Sequence, residues 1–391
     1  MKLLLYTHTF APNIGGIETI TASLARGLAK LPATSNAPKL QITVVTDTPA
    51  SGFDDANFTF PLIRQPSFLA LAKLIRASDV IHIAGPALVP MFLSRLFGKP
   101  YVVEHHGYQA ICPNGILLEQ PASTICPGHF QAGRYQKCVQ CESQDTSWLR
   151  AALKVAGNIP RHDLAKHAAT NVAVSHFTAK RVALPRTIVI YHGLQRDSSQ
   201  PAEPAAAASS KSGKIRFGCV GRFVGEKGIP VLIDAAHRLR AQRQDFEVVL
   251  VGDGPQRPQI EKLVQRASAA DYIRITGFLS GEKLAAEVNA LDVVVMPSIW
   301  EETAGLAAIE QMFRGRLVIA SDIGGLGEMV GDAAIKFPAG DAQTLADQMK
   351  KVLLHKTEVF ALGEAAQNRA RSLFLSDRMV TEHLAAYLKV G

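Results

Sequence analysis

Asp292-Val-Val-Val-Met296-Pro-Ser-Ile-Trp-Glu301-Glu302-Thr303-Ala304-Gly305-Leu306-Ala-Ala-Ile-Glu310 runs from a short apolar strand through Pro-Ser into a helix that opens near Gly305. A strand feeding a helix through a tight turn is one unit of a parallel α/β sheet. The spacing puts Glu302 in the turn and Glu310 in the second turn of the helix. Between them the helix start offers amide N–H groups and the positive end of the peptide dipoles, a seat for a diphosphate. A carboxylate has enough acceptor sites to hold two neighbouring hydroxyls of a ribose or hexose. Thr303, Ala304, Gly305 and Leu306 would line the phosphate seat.

The same alternation extends on both sides. Upstream strands are expected at Ile215–Val220, Glu247–Val251 and Ile273–Thr276, with helices at Ile229–Arg240, Pro258–Ala267 and Lys283–Asn289. Downstream strands are expected at Arg316–Ala320 and Ala334–Lys336. The first half has its own set of strands: Lys2–Tyr6, Gln41–Thr46, Val80–Ile83, Tyr101–Glu104, Asn171–Val174 and Thr187–Tyr191. Helices are expected there at Glu18–Lys30, Phe68–Arg76, Pro90–Phe97 and Trp148–Lys154. Residues 196–213 are rich in Ala, Ser and Pro, have no buried-face period and read as a linker. The division is an N-terminal α/β domain over 1–195, a linker, a C-terminal α/β domain over 214–375 and a closing helix over 376–391. Two doubly wound domains are expected to bind ligand in the crevice at the carboxyl ends of their strands.

Composition narrows the class. Apolar residues make up 47% and charged residues 19%, which excludes wholesale disorder. No apolar run approaches the roughly 20 residues of a membrane span, and the N-terminus lacks a signal peptide's long apolar region and cleavage site. A cytoplasmic location is expected. Residues 1–200 carry 19 Lys and Arg against 11 Asp and Glu, while 201–391 carry 23 against 23, so the whole excess of +8 lies in the first half. Such a surface attracts anionic lipid, nucleic acid or an anionic substrate, and charge alone does not choose. Lys154, Arg161, Lys166, Lys180 and Arg181 are the candidate cations for peripheral contact at the inner membrane face.

Several segments agree with one known family in order and spacing. The Glu302-x7-Glu310 pair resembles the E-x7-E signature of the family-4 retaining glycosyltransferases, of GT-B fold. Phe217-Gly-Cys-Val-Gly-Arg222-Phe-Val-Gly-Glu-Lys227-Gly228 resembles that family's phosphate-binding loop. Val249-Leu-Val-Gly252-Asp253-Gly254-Pro255 and Arg316-Leu-Val-Ile-Ala-Ser-Asp-Ile-Gly324-Gly325-Leu-Gly-Glu328 resemble later strands and loops, and Gly15-Gly16 the glycine loop after the first strand. The resemblance implies GT-B architecture, two Rossmann-like domains facing across a cleft. It implies sugar transfer from a nucleoside-diphosphate sugar, UDP-linked ahead of GDP-linked, to a glycan, lipid-linked or small-molecule acceptor, with no nucleic-acid partner. Glu310 would bind ribose and Glu302 the sugar hydroxyls. Arg222 and Lys227 would hold the diphosphate with the Gly15 and Gly16 backbone, stabilising charge on the leaving phosphate. His106, ahead of His105, would face the donor sugar and hydrogen-bond it or help move a proton. His192-Gly193 sits where the family often has Asn-Gly and reads as structural, as does the final helix. Asp-x-Asp is absent from the chain, which favours catalysis without a metal ion. The rivals are a non-catalytic sugar-nucleotide sensor and a hydrolase or epimerase of the same fold.

An insert over 107–147 carries Cys112, Cys126, Cys138 and Cys141, spaced C-x13-C-x11-C-x2-C. The closing Cys-x-x-Cys suits a structural zinc of four thiolates, with disulfides or free thiols as alternatives. The insert is interrupted by Pro113, Gly115, Pro121, Pro127 and Gly128 and is expected to have little core of its own. Cys219 reads as a small core residue.

Overall fold

The computed structural model describes residues 1–32, 39–195 and 213–391, the side chains of 356–360 excepted. Most of the expected linker therefore lies outside the described residues. The chain forms two compact units. The first spans Met1–Gln195 and takes back Leu373–Gly391; the second contributes described residues 213–372.

The first unit holds strands β1 (Lys2–Thr7), β2 (Gln41–Thr46), β3 (Leu62–Arg64), β4 (Val80–Ala84) and β5 (Tyr101–His105). A two-stranded hairpin, β6 (Leu118–Glu119) and β7 (Thr124–Ile125), lies in the insert, and β8 (Thr170–Ala173) and β9 (Thr187–Val189) follow. Seven strands form one sheet in the order β3-β2-β1-β4-β5-β8-β9. Every pairing within it is parallel. Helices α1 (Gly16–Lys30), α2 (Phe68–Ala77), α3 (Leu88–Leu96), α4 (Tyr135–Glu142), α5 (Trp148–Lys166) and α6 (His176–Val182) cover it. β1, β4 and β5 are buried almost throughout, as strands covered on both faces must be; β4 and β5 carry His82, Glu104 and His105 among their apolar residues.

The second unit holds β10 (Ile215–Val220), β11 (Phe246–Val251), β12 (Ile273–Gly277), β13 (Val293–Met296), β14 (Leu317–Ser321) and β15 (Ile335–Phe337). Their order is β12-β11-β10-β13-β14-β15, again all parallel. Helices α7 (Ile229–Arg240), α8 (Arg257–Arg266), α9 (Gly281–Asn289), α10 (Leu306–Phe313), α11 (Gly324–Val330), α12 (Ala342–Leu354) and α13 (Lys356–Leu373) belong to this unit but for the last residue. Its core centres on Phe217, Leu232, Phe246, Val293, Ile319 and Met349. The chain then returns to the first unit as α14 (Ser376–Val390), which packs on α1 with Val380 against Gly27 and Ser376 Oγ 3.1 Å from Ser23 Oγ.

Four expectations are corrected. The helix expected to stop at Lys154 continues through Gly157 and Pro160 to Lys166. Its buried Ala151, Val155, Asn158 and Leu164 repeat at helical spacing, so packing on one face outweighs one lost backbone bond. The segment after β14, expected as a loop, forms α11. Edge strand β3, three residues long, was too short to carry a period. The insert does have a core: Tyr108, Ile111 and Leu117 are buried, and Phe130 and Cys138 pack with Val155 of α5. Among the described residues no helix is long and apolar enough to cross a membrane.

Candidate functional site

In the second unit the chemistry gathers on the turn between β13 and α10. Glu302 is buried, and its Oε1 accepts a hydrogen bond from Lys227 Nζ at 2.8 Å and another from Ser298 Oγ. Burial by itself would raise this carboxyl's pKa; the Lys227 charge and the bonds from Lys227, Ser298 and Trp300 outweigh it and hold the group below its usual value. Glu302 is thus an anion at neutral pH, with one cation bound to it.

Two glycines let the surrounding backbone close on this turn. Gly228 has φ 65°, and a Cβ there would lie 1.9 Å from the Pro297 carbonyl oxygen, so the segment after Lys227 reaches the turn only without a side chain. Gly325 donates its N–H to the Glu302 carbonyl at 2.5 Å, and its missing Cβ would meet the Thr303 oxygen at 2.0 Å. The Gly-rich segments are the packing partners of the Glu302 turn.

Thr303, Ala304 and Gly305 are buried, and Gly305 stands as the N-cap residue of α10 with no side chain capping the helix. Glu310 lies on the exposed face of α10, yet surrounding protein raises its carboxyl's pKa above the usual value, Arg314 pulling the other way. Arg222 is exposed and, with Lys227, Ser298 and Cys219, lines a small cavity at the ends of β10 and β13. Buried Cys219 is wall as well as core there, and its thiol is pushed up to about 12 by burial.

The first unit builds a different centre. Glu104 and His106 lie on one face at the end of β5, and His105 points the other way, where its Nε2 meets Asn171 Oδ1 at 2.9 Å. Glu104 is 1% exposed and four histidines surround it. His82 Nε2 and His106 Nε2 stand 3.2 and 3.3 Å from Oε2, His383 Nε2 3.7 Å from Oε2 and His192 Nε2 3.9 Å from Oε1. His106 Nδ1 is 3.1 Å from His192 Nε2, and the two rings stack. Behind them Tyr387 Oη lies 2.9 Å from His82 Nδ1, and His383 Nδ1 donates to the Met379 carbonyl at 2.9 Å. Two triads, His82–Glu104–His383 and Glu104–His106–His192, each bring three possible ligand atoms within 4.8 Å.

The electrostatics of this cage follow from burial. Desolvation opposes the Glu104 charge, but His106 and the other imidazoles overcome it and hold the carboxyl well below the ordinary range. Burial lowers His82 and takes His105 to about 4 and His192 to about 3. His192 is therefore neutral at pH 7 and can accept or donate a hydrogen bond without carrying charge. Gly15 and Gly16 lie at the start of α1, whose N-terminus has no side-chain cap.

In the insert all four cysteines are free and line one pocket, with His129 and Glu119 beside them. Burial pushes the thiols of Cys112 and Cys138 up to about 11 and about 12.

Comparison with known proteins gives this geometry a family. Residues 203–369 match the family described as glycosyl transferases group 1. The 2-deoxystreptamine glucosyltransferase of Streptomyces kanamyceticus is 32% identical over 315 residues, 78% of this chain and 71% of the relative. The chain belongs to the glycosyl transferases group 1 family. A more distant relative, the GDP-mannose-dependent α-(1-6)-phosphatidylinositol monomannoside mannosyltransferase of Mycobacterium tuberculosis, is 24% identical over 99% of this chain and 98% of its own. Among solved structures, Anabaena HepE in complex with UDP-glucose superposes with a TM-score of 0.71 at 20% identity, covering 100% of this chain and 99% of that one. The architecture is GT-B, two parallel-sheet Rossmann-like domains in one chain.

In this glycosyltransferase the structure brings Glu302 and Lys227 into direct contact and puts Arg222 on the same small cavity. Ser298, inside the quoted signature, was passed over because a lone serine before a turn carries no distinctive pattern. Glu104, His82, His192 and His383 were missed for another reason: each comes from a different segment, and only the fold assembles them. His192 and α14, read as structural, both reach the Glu104 cage.

Proposed function

We propose that this glycosyltransferase is a retaining, metal-independent hexosyltransferase whose second unit holds a nucleoside-diphosphate sugar. Glu310 binds the ribose, Glu302 the sugar hydroxyls, and Arg222 and Lys227 the diphosphate with the amides of Thr303 to Leu306. The observation that carries the reading is the buried Glu302 anion held by Lys227 and Ser298, a charged pair kept at the mouth of a helix start. When a diphosphate arrives, Lys227 has an anionic partner to move to, and both Glu302 and the amides become available to the donor. Fixed cations and amides stabilise the negative charge left on the departing phosphate without an ion. The leaving phosphate takes the acceptor proton in a front-face substitution. UDP is favoured because HepE, of the same fold, was solved with UDP-glucose; GDP is the second choice because the mycobacterial relative is named GDP-mannose-dependent.

His106 supplies the first unit's polar group for the sugar or for proton movement. Glu104 fixes its ring, and neutral His192 stacked on it restricts its rotation. The Gly15-Gly16 backbone contributes amides to the phosphates.

The same reading places the acceptor on the first unit and the protein in the cytoplasm at an anionic membrane face. Of the five cations named from sequence, Lys154 pairs with Glu142, Arg161 donates to Asn158 Oδ1 and Arg181 to the Cys126 carbonyl. These three are committed within the unit. The stronger support is apolar: Phe68, Leu69, Leu96, Trp148, Leu149 and Leu153 are each more than half exposed on neighbouring helices α2, α3 and α5. Exposed Lys73, Arg95 and Arg150 lie on the same helices. An apolar surface flanked by cations fits the headgroup boundary of an anionic bilayer.

Incubation with UDP- and GDP-sugars, with and without acceptors, tests the activity, and the anomeric configuration of the product tests the stereochemistry. A glycoside of retained configuration is expected. Free sugar alone would make the protein a hydrolase, donor binding without turnover a sensor, and an inverted product would end the front-face reading.

A further inference from the structure

The insert carries a set of groups that sugar transfer does not use. Cys138 and Cys141 project from α4, Cys112 ends a short turn after β5, and Cys126 follows β7. All four cysteines line one small pocket, with no disulfide among them. Four thiols brought from three segments into a pocket that Pro113, Leu118 and His129 also line is an expensive arrangement for an apolar core, where Leu or Val would fill the space better.

The backbone around the sulfurs is shaped for anions. The Cys112-Pro-Asn-Gly115 turn aims backbone hydrogen bonds from Leu117, Gly115 and Asn114 at the Cys112 sulfur. The Gln120 amide donates to Cys141 Sγ at 3.3 Å. Lys137 lines the pocket, and Arg181 holds the carbonyl of Cys126. Amide donors and flanking cations on sulfur match a thiolate far better than a neutral thiol, which accepts weakly.

We propose that Cys112, Cys126, Cys138 and Cys141 bind one structural zinc ion as four thiolates. The four thiols give up four protons, and the resulting site carries two net negative charges, which the amides, Lys137 and Arg181 offset. In the structure Asn114 bridges two of the ligands: its Oδ1 accepts from Cys112 Sγ at 2.9 Å and its Nδ2 donates to Cys141 Sγ at 3.6 Å. A zinc–sulfur bond of about 2.3 Å sets tetrahedral sulfurs about 3.8 Å apart, so loading draws the sulfurs together and releases the Asn114 side chain from between them. The ion ties α4 and the segment after β7 to the segment after β5, Cys112 lying six residues beyond His106 of the Glu104 cage. Four thiolates complete a tetrahedral site without oxygen or water ligands.

The test uses the full chain, expressed without a metal-affinity tag and purified without chelator. The expected result is about one zinc per chain, released as a mercurial titrates four thiols, with Co(II) substitution giving the visible absorption of a tetrahedral thiolate site. Cys138→Ser and Cys141→Ser should each lower the zinc content at least tenfold, while the wild-type titration stands independently of whether those variants fold. Metal-free protein of fully reduced mass would overturn the site. A mass two or four protons lower would replace it with disulfides. Iron with broad absorption near the visible edge would make it an iron–sulfur site, and zinc retained in both variants would move the ion elsewhere.

Discussion

The Glu302 turn and the Glu104 cage each hold a buried carboxylate ionised against the cost of burial, and they do it in opposite ways. Glu302 relies on one partly exposed lysine from the loop after β10, with Ser298 and Trp300 of its own turn. Glu104 relies on four imidazoles delivered by β4, the end of β5, the segment after β9 and α14. The first arrangement can open, because a lysine side chain swings and remains solvated on its own. The second cannot open without moving a helix from a sheet, and it suits holding a ring in place. A ligand-exchange site and a positioning site are thus told apart by how many segments share the charge.

The largest expected effect lies in the cage. Glu104→Ala removes the acceptor that the buried imidazoles of His82, His106 and His383 face and should destabilise the first unit by about 1–3 kcal/mol for each donor left unpaired; Glu104→Gln should cost less, since it keeps hydrogen bonds. Denaturant unfolding measures both. Equal stability of Glu104→Ala and wild type would show the cage to be a chance cluster.

Next comes the turn. Glu302→Gln should depress turnover by about ten- to a hundredfold, the worth of a charged hydrogen bond of about 1.5–3 kcal/mol, and leave nucleoside diphosphate affinity unchanged. Glu310→Ala should instead weaken nucleoside diphosphate and donor alike, because both contain ribose. Calorimetry separates the two, and equal nucleoside diphosphate affinity for Glu310→Ala and wild type would remove the ribose assignment.

Acid sharpens the contrast. His105 and His192 have folded pKa values near 4 and 3, below the unfolded value of about 6.5. Their neutral forms stabilise the fold above that value, and the contribution is lost as pH falls, because the unfolded chain takes up the protons first. Each should cost about 1.4 kcal/mol per pH unit between its unfolded and folded values. Glu302, whose pKa is lowered, contributes only above the ordinary carboxylate range and should not weaken the protein until more acid pH. Melting temperatures from pH 7 to 5 measure this, and a flat profile would contradict the neutral histidines.

The smallest effect is at the surface. Arg95→Glu and Arg150→Glu should each weaken binding to anionic vesicles by about 1 kcal/mol or more, less in high salt. Flotation with anionic and neutral vesicles reads it, and indifference to both would leave the exposed apolar helices for a protein partner.

The Glu302 turn was legible because its parts are neighbours: an apolar strand, Pro297, a glycine at a helix start and two glutamates at fixed spacing. Lys227 was nameable only as a cation in the right loop; that it donates to Glu302 depended on Gly228 passing the Pro297 carbonyl. The linear sequence settled the alternation of strands and helices, the two α/β domains and the signature loop, since periodicity and turn chemistry act over a few residues. Tertiary structure alone decided that His82, His192 and His383 meet Glu104, that α5 runs past Pro160, and that the insert owns a core. A buried histidine looks the same in sequence as an exposed one. What it touches is fixed by strand order and helix packing, across separations of up to several hundred residues that no local pattern records.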